Sequence, residues 1–304
     1  MSFTSQIKSE ISKQKLNKEE QISILSAIVK NEVIDDTIRI TNENQDVANL
    51  VFRLFQDTFN IIPKITVRKG YNYNKKYIYI IEIKDKIEEI KKKLQLDKEN
   101  LDILLEHENI LRTYLKGLFL AKGSINDPKT SRYHMEILVD KEEYSNFIND
   151  SLNYYNLNSK IIKRENKYMI YIKEAEKIGD FLRLLGTTKS LLYYEDIRIY
   201  RDHVNMTNRL NNCEQANVDR IISTATEQIK DIELIEKCGL DLLSEKEQLA
   251  AQYRMKYKDA SLQELSEIIT IETETKITKS GLHHRFDKIK KLAQKIREKD
   301  EKYE

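Results

Sequence analysis

Flexible punctuation is scarce in this sequence: its 304 residues include seven glycines and two prolines. Turns and linkers draw heavily on both residue types, so their scarcity excludes a loop-rich or low-complexity chain and predicts one built mostly of helices and hairpins. Cysteine is scarce too. Cys213 and Cys238 have no second pair at zinc-ligand spacing, and their expected role is that of packed small residues, neither ligands nor nucleophiles. No apolar run reaches the roughly eighteen residues a membrane-spanning helix needs. The opening MSFTSQIKSE has neither the basic start nor the apolar segment of a secretory leader, so a cytoplasmic protein with no membrane partner is expected. A charge of one sign is also missing, since 52 Lys and Arg nearly cancel 50 Asp and Glu. Any basic surface for nucleic acid must therefore be local.

What is present is a repeat. Shifted by roughly ninety residues, the first third of the chain overlays the second third, with the same order of elements. In the first copy EEQISILSAIVKNEV reads as a helix, DTIRIT as a strand, NQDVANLVFRLFQDTF as a helix, KITVRKGYNYNKKYIYIIEI as a hairpin and DKIEEIKKKL as a helix. The second copy runs RTYLKGLFLAKGS, YHMEILV, KEEYSNFINDSLNYYN, SKIIKRENKYMIYIKE and AEKIGDFLRLL. Apolar residues at three-and-four spacing, such as Val47, Leu50, Val51 and Leu54, mark the helices, and β-branched or aromatic alternation marks the strands. One copy has too small a core to stand comfortably alone. The first helices of the two copies are expected to pack on each other, with Gly117 and Ser26 permitting close approach and the two sheets forming a saddle.

This architecture and the segment LKGLFLAKG resemble the LAGLIDADG homing endonucleases, in which the two seam helices end in acidic residues that bind a divalent cation. Here Lys122 stands at one acidic position, and Asn31, followed by Glu32, falls at the other. Lysine cannot ligate Mg²⁺ while protonated, and an amide is a weak neutral ligand, so no metal, no cofactor and no phosphodiester cleavage are expected. Basic residues on the hairpins lie where the resemblance implies DNA contacts. They include Arg68, Lys69, Lys75 and Lys76 in one copy and Lys160, Lys163, Arg164 and Lys167 in the other. Solubility of an exposed sheet explains such lysines equally well. Tyr71, Tyr73, Tyr77 and Tyr79 would suit a protein partner instead.

After LLYYEDIRIYRD, the stretch NRLNNCEQANVDRIISTATEQIKDIELIE reads as a connecting helix. Asn208, Asn211, Asn212 and Asn217 crowd its start and are expected to cap it, the alternative being hydrogen bonds to phosphate. Gly239 marks a stop. In the last sixty residues SEKE and SLQE carry the capping-box pattern, which predicts helices beginning after Ser244 and Ser261. A third helix from about Thr278 to Ile296 would turn Leu282, Phe286, Ile289, Ala293 and Ile296 inward. Its other side shows Ser280, His284, Asp287, Lys288 and Lys291, with Lys279 and His283 near the start. From Lys276 to Arg297 there are eight Lys or Arg and one Asp, the local basic excess a phosphate backbone attracts. A short helix, a turn and a basic helix make the helix-turn-helix order. His283 and His284 point about 100° apart on a helix and do not share a metal ion easily.

Four segments, YLKGLFLAKGSINDPKTSRYHMEI, EDIRIYRD, NRLNNCEQAN, and SLQEL with ITKSGLHHRF, together resemble the WhiA family, which joins a degenerate LAGLIDADG-like domain to a C-terminal helix-turn-helix. The resemblance implies an α+β fold, with a pseudo-two-fold LAGLIDADG-like domain over 1–205 (repeats about 1–100 and 101–205), a helical linker over 206–243 and an all-α helix-turn-helix domain over 244–304, its motif about 261–294. It implies a non-enzymatic regulator, sequence-specific or nucleoid-associated, that binds double-stranded DNA and acts in cell division, chromosome segregation and, in sporulating lineages, sporulation. Lys279, Ser280, Gly281, His284 and Arg285 match the family's recognition-helix pattern, and His283 departs from its common Asn. With His283, Lys288 and Lys291 they form the expected DNA-binding set, to which Arg68, Lys76, Lys163 and Arg164 would add contacts. Two alternatives stay open: an active endonuclease using Glu32, and an adaptor docking on transcription machinery or a sigma factor through the LAGLIDADG-like domain.

Overall fold

The computed structural model describes residues 2–32, 36–69, 77–96, 107–130 and 132–300. Two compact units divide the chain, Met1–Asp202 and His203–Glu304. In the first, α1 (Phe3–Ser12) precedes α2 (Lys18–Val29), β1 (Ile38–Asn42), α3 (Gln45–Phe59), β2 (Lys64–Lys69), β3 (Tyr77–Ile83) and α4 (Ile87–Lys93). The same order follows in α5 (Glu108–Lys122), a short strand β4 (Gly123–Ile125), β5 (Met135–Val139), α6 (Glu142–Tyr154), β6 (Lys160–Arg164), β7 (Lys167–Ile172) and α7 (Ala175–Leu185). Next comes α8 (Thr188–Cys238), a helix of 51 residues whose first part belongs to the first unit and whose remainder belongs to the second. The second unit continues with α9 (Glu245–Lys256), α10 (Leu262–Thr273) and α11 (Lys279–Asp300).

Local chemistry explains most boundaries. Asn17 and Glu20 form a reciprocal capping box at the start of α2. Asn44 caps α3 by accepting from the N–H groups of Asp46 and Val47, and its amide donates to Ser5 and Ser9 of α1. In α3 the stripe Val47, Leu50, Val51 and Leu54 is buried. The helix stops at Asn60, whose φ of 54° is one an asparagine adopts at modest cost. Both sheets are antiparallel, with orders β1-β3-β2 and β4-β5-β7-β6. Opposed residues share a face, so the pairs Ile38 with Ile83 and Ile40 with Ile81, and Met135 with Ile172 and Ile137 with Ile170, turn toward one apolar core common to both repeats.

The seam between the repeats is α2 against α5. A Cβ built on Gly117 would lie 2.5 Å from the Ile24 carbonyl oxygen and 2.9 Å from Ala27 Cβ, so only glycine allows this backbone approach. Ser23 Oγ crosses the seam to donate to the Ile110 carbonyl at 2.9 Å. Ser26, expected opposite Gly117, instead donates to the Leu94 carbonyl at 2.9 Å, and Ala27 takes the seam position one residue later.

Two further expectations give way, and one helix is new. The asparagines at 208–217 begin no helix: α8 runs unbroken from Thr188, and these residues lie exposed along it, so backbone hydrogen bonding in a long helix overrides their preference for caps. Cys213 and Cys238 are exposed thiols, not packed residues, because they fall on the uncovered side of that helix. Finally, α1 is an unforeseen helix that binds the second repeat. Thr4 Oγ donates to the Ile125 carbonyl and accepts from its N–H at 2.8 and 2.9 Å, and the Gln14 amide donates to the carbonyls of Leu185 and Gly186. Glu10 accepts the N–H groups of Lys189 and Ser190 at 2.9 and 3.0 Å, capping α8 from a distant part of the chain.

Substituting Gly117→Ala should force the α2–α5 seam apart and lower unfolding free energy by about 1–3 kcal/mol, the usual range for overpacking. Urea denaturation followed by circular dichroism measures it.

Candidate nucleic-acid interface

The seam ends bring together the residues that a cation site would use. Lys122, the last residue of α5, places Nζ 3.4 Å from Glu32 Oε1, and both side chains are largely shielded. Burial raises the Glu32 carboxyl above its ordinary range, and the Lys122 charge opposes that shift. Lys8 of α1 stands close enough to feel Glu43 and Lys122, and burial lowers it to about 8. Asn31 is committed elsewhere, donating to the Ala27 carbonyl at 2.7 Å and to the Tyr144 hydroxyl at 3.2 Å, which in turn meets Tyr114 at 2.8 Å. A divalent cation needs several anionic oxygens, yet this place offers an ammonium on the nearest carboxylate and a second lysine nearby. The donor set does not fit a metal ion. Among the described residues no group of three or more His, Cys, Asp or Glu is positioned to hold one.

Strand alternation sorts the hairpin residues. Arg68, opposite Ile78, and Arg164, opposite Lys167, are exposed on the faces turned away from the core. Lys163, opposite Tyr168, falls on the other face, with Nζ 5.6 Å from that ring's centre. Lys167 pairs with Asp140 at 3.6 Å. Lys75, Lys76, Tyr71 and Tyr73 lie outside the described residues.

In the second unit, capping boxes at Ser244–Glu247 and Ser261–Glu264 start α9 and α10, and Thr278 Oγ accepts from the Gly281 N–H at 3.1 Å to start α11. Leu282, Phe286, Ile289 and Ala293 are buried, and Ile296 partly so, against Ile232 and Ile235 of α8, Ala250 and Ala251 of α9, and Leu265 and Ile269 of α10. A buried arginine fixes the turn between α9 and α10. Arg254, 1 % exposed, donates to the carbonyls of Tyr257, Lys258 and Ala260 and to Gln228 Oε1, with its guanidinium over the Phe286 ring. Nothing in local spacing marks Arg254 out, because its partners are distributed over α8 and a turn.

The packing of α11 divides its polar residues into three groups. Ser280, His284 and Lys291 are exposed opposite the buried stripe, with Gly281 beside them. On one flank, Lys279 is exposed, His283 lies 3.7 Å from Asp287, Lys290 pairs with Glu227 of α8 at 3.6 Å and Arg297 with Asp231 at 2.6 Å. On the other flank, half-buried Arg285 donates to the Lys246 carbonyl at 3.4 Å, and Lys288 pairs with Glu247 at 3.6 Å. Arg285 and Lys288 are thus already engaged with α9. Ser280, His284 and Lys291 remain open to a ligand.

Three family models match the chain: the WhiA N-terminal LAGLIDADG-like domain over residues 23–97, the WhiA LAGLIDADG-like domain over 111–204 and the WhiA C-terminal HTH domain over 207–293. The chain belongs to the WhiA family. Among WhiA relatives, the probable cell division protein WhiA of Enterococcus faecalis is 38% identical over 319 residues, covering 98% of this chain and 99% of the relative. That of Oceanobacillus iheyensis is 38% identical, covering 98% of each. The crystal structure of full-length DUF199/WhiA from Thermatoga maritima matches with a TM-score of 0.58 and 25% identity, over 97% of this chain and 99% of that one. The α+β architecture with a C-terminal helix-turn-helix is therefore that of WhiA proteins.

Replacing Lys122→Met should leave Glu32 shielded without its cation, costing roughly 1–3 kcal/mol at neutral pH. Without the lysine the Glu32 pKa rises further, so the folded state holds its proton to higher pH than the unfolded state does. The deficit relative to wild type should be smallest in acid, where Glu32 is protonated in both proteins, and should grow as pH rises through the Glu32 titration, as urea midpoints at several pH values will register.

Proposed function

We propose that this chain is a non-catalytic, sequence-reading DNA regulator acting in cell division and chromosome segregation, associated with the nucleoid in the cytoplasm. The observation that carries the reading is the outward side of α11. At the start of the second helix of a helix-turn-helix, Lys279, Ser280 and His284 are exposed and unburdened by packing, in the position from which such helices reach base edges. The relatives' name, probable cell division protein, supports the cellular role. The pairing of Lys122 with Glu32 supports a domain that keeps a nuclease-like seam without cutting chemistry. No helix among the described residues is long and apolar enough to cross a membrane.

A second reading draws on the first unit. Val67 and Tyr77, 53% and 54% exposed, put apolar surface on the β2–β3 hairpin, which suits a protein partner such as transcription machinery or a sigma factor better than phosphate. On this reading Arg68 and Arg164 add to a protein contact or to DNA.

Lys279→Ala should weaken duplex binding and flatten the dependence of affinity on salt by about one unit of slope. His284→Ala should instead relax sequence preference, by roughly 1–3 kcal/mol at the base it reads. Fluorescence anisotropy at several salt concentrations, on selected and scrambled duplexes, tests both, and wild-type affinity in both variants would remove the assignment. Arg285→Ala should lower the melting temperature as well as affinity, given its bond to Lys246. Incubation with supercoiled plasmid and Mg²⁺ should produce no nicking.

A further inference from the structure

A cleft of about 440 Å³ opens in the second unit between α8, the start of α10 and the start of α11. Asn217, Arg220 and Thr224 line it from α8, Ser261 and Gln263 from α10, and Lys279 from α11. Its wall contains no carboxylate, in a chain where 50 residues are Asp or Glu. The cations nearby differ sharply in their state. Lys288, Lys290 and Arg297 are each held by a carboxylate, while Arg220 and Lys279 are exposed and form no salt bridge among the described residues. Two uncompensated cations from separate helices, facing one cleft whose wall carries no carboxylate, favour an anion.

The position of Arg220 is set by the fold. Residues at spacings of four, seven and eleven share a helix face, and on α8 these are Thr224, Glu227 and Asp231. Glu227 and Asp231 bind Lys290 and Arg297 of α11, so the Arg220 face is fixed against the recognition helix. Lys279 opens that helix next to Ser280, which lies one turn before His284 on the outward side, so the cleft adjoins the base-reading side chains. An anion there is next in line to the bases, where the backbone of a bound duplex runs.

We infer that this cleft clamps one backbone phosphate of bound DNA, with Arg220 and Lys279 supplying charge and Asn217 a hydrogen bond, so that α8 is part of the DNA interface and more than a connector. The inference rests on the DNA-binding reading above. It also gives a use to Asn217, which caps nothing in the structure.

The test measures affinity of the full chain for two short duplexes of unrelated sequence as a function of salt, for wild type, Arg220→Ala and Arg220→Lys. Arg220→Ala should flatten the slope by about one unit and weaken binding by a similar factor on both duplexes, and Arg220→Lys should recover most of both. Because Arg220 is exposed, melting temperature should not move, which separates the effect from misfolding. An unchanged slope in Arg220→Ala overturns the inference while leaving the DNA reading intact, provided Lys279→Ala still weakens binding. A loss confined to one duplex overturns it too, by making Arg220 a base reader. Stabilisation of wild type by inorganic phosphate alone, lost in Arg220→Ala with the duplex slope unchanged, would assign the cleft to a free anion. Wild type without salt-dependent duplex binding would overturn both readings together.

Discussion

The first unit depends on one contact between backbones. Where α5 crosses α2, Gly117 lies against the Ile24 carbonyl and Ala27, with no room for a methyl group. That approach holds the two repeats around one apolar core, to which the sheets contribute Ile81 and Ile83 from one repeat and Ile137 and Ile170 from the other. It also fixes what meets at the helix ends. Lys122 and Glu32 are brought within 3.4 Å by the same crossing, so an ion pair fills a place where two carboxylates would repel unless a metal lay between them. Close packing and an internal charge pair are thus two results of one geometry.

In the second unit a similar economy governs charge. Packing of α11 commits its flanking cations to Glu227, Asp231 and Glu247, and these bonds lock it against α8 and α9. The cations left over are those at its start and on its outer side. The near-neutral total charge conceals this division: Glu227, Asp231 and Glu247 neutralise cations on the flanks of α11, while Lys279 and Lys291 stay exposed at its start and outer side.

Local signals were the legible ones. The stripe Val47, Leu50, Val51 and Leu54, the capping boxes at Ser244 and Ser261, and the inward set Leu282, Phe286, Ile289 and Ala293 each encode their structure within a few turns. What was not legible involves partners far apart in sequence or a competition between preferences. Asparagines at 208–217 read as caps because their side chains compete for backbone groups, but the helix around them is long enough to prevail. Ser26 and Ala27 are both small, and only the third dimension decides which one faces Gly117. Arg285 carries the spacing of a DNA contact, yet the Lys246 carbonyl that occupies it is 39 residues away. Arg254 has no signature at all, since three of its acceptors are main-chain carbonyls in a turn.

The carboxylate of Glu10 has a bearing on how the first unit assembles. Its acceptors' partners, Lys189 and Ser190, lie about 180 positions further along, and Thr4 and Gln14 make ties of comparable span. Such contacts contribute nothing until both repeats exist, so they raise contact order and slow the search for the native state. During synthesis Ser5 and Ser9 of the opening helix can meet Asn44 early, but Glu10 and Gln14 must wait for α7 and the start of α8 to emerge. The earliest segment to be made is thus tied twice, first to its own repeat and last to the end of the other, which closes the unit on its own beginning.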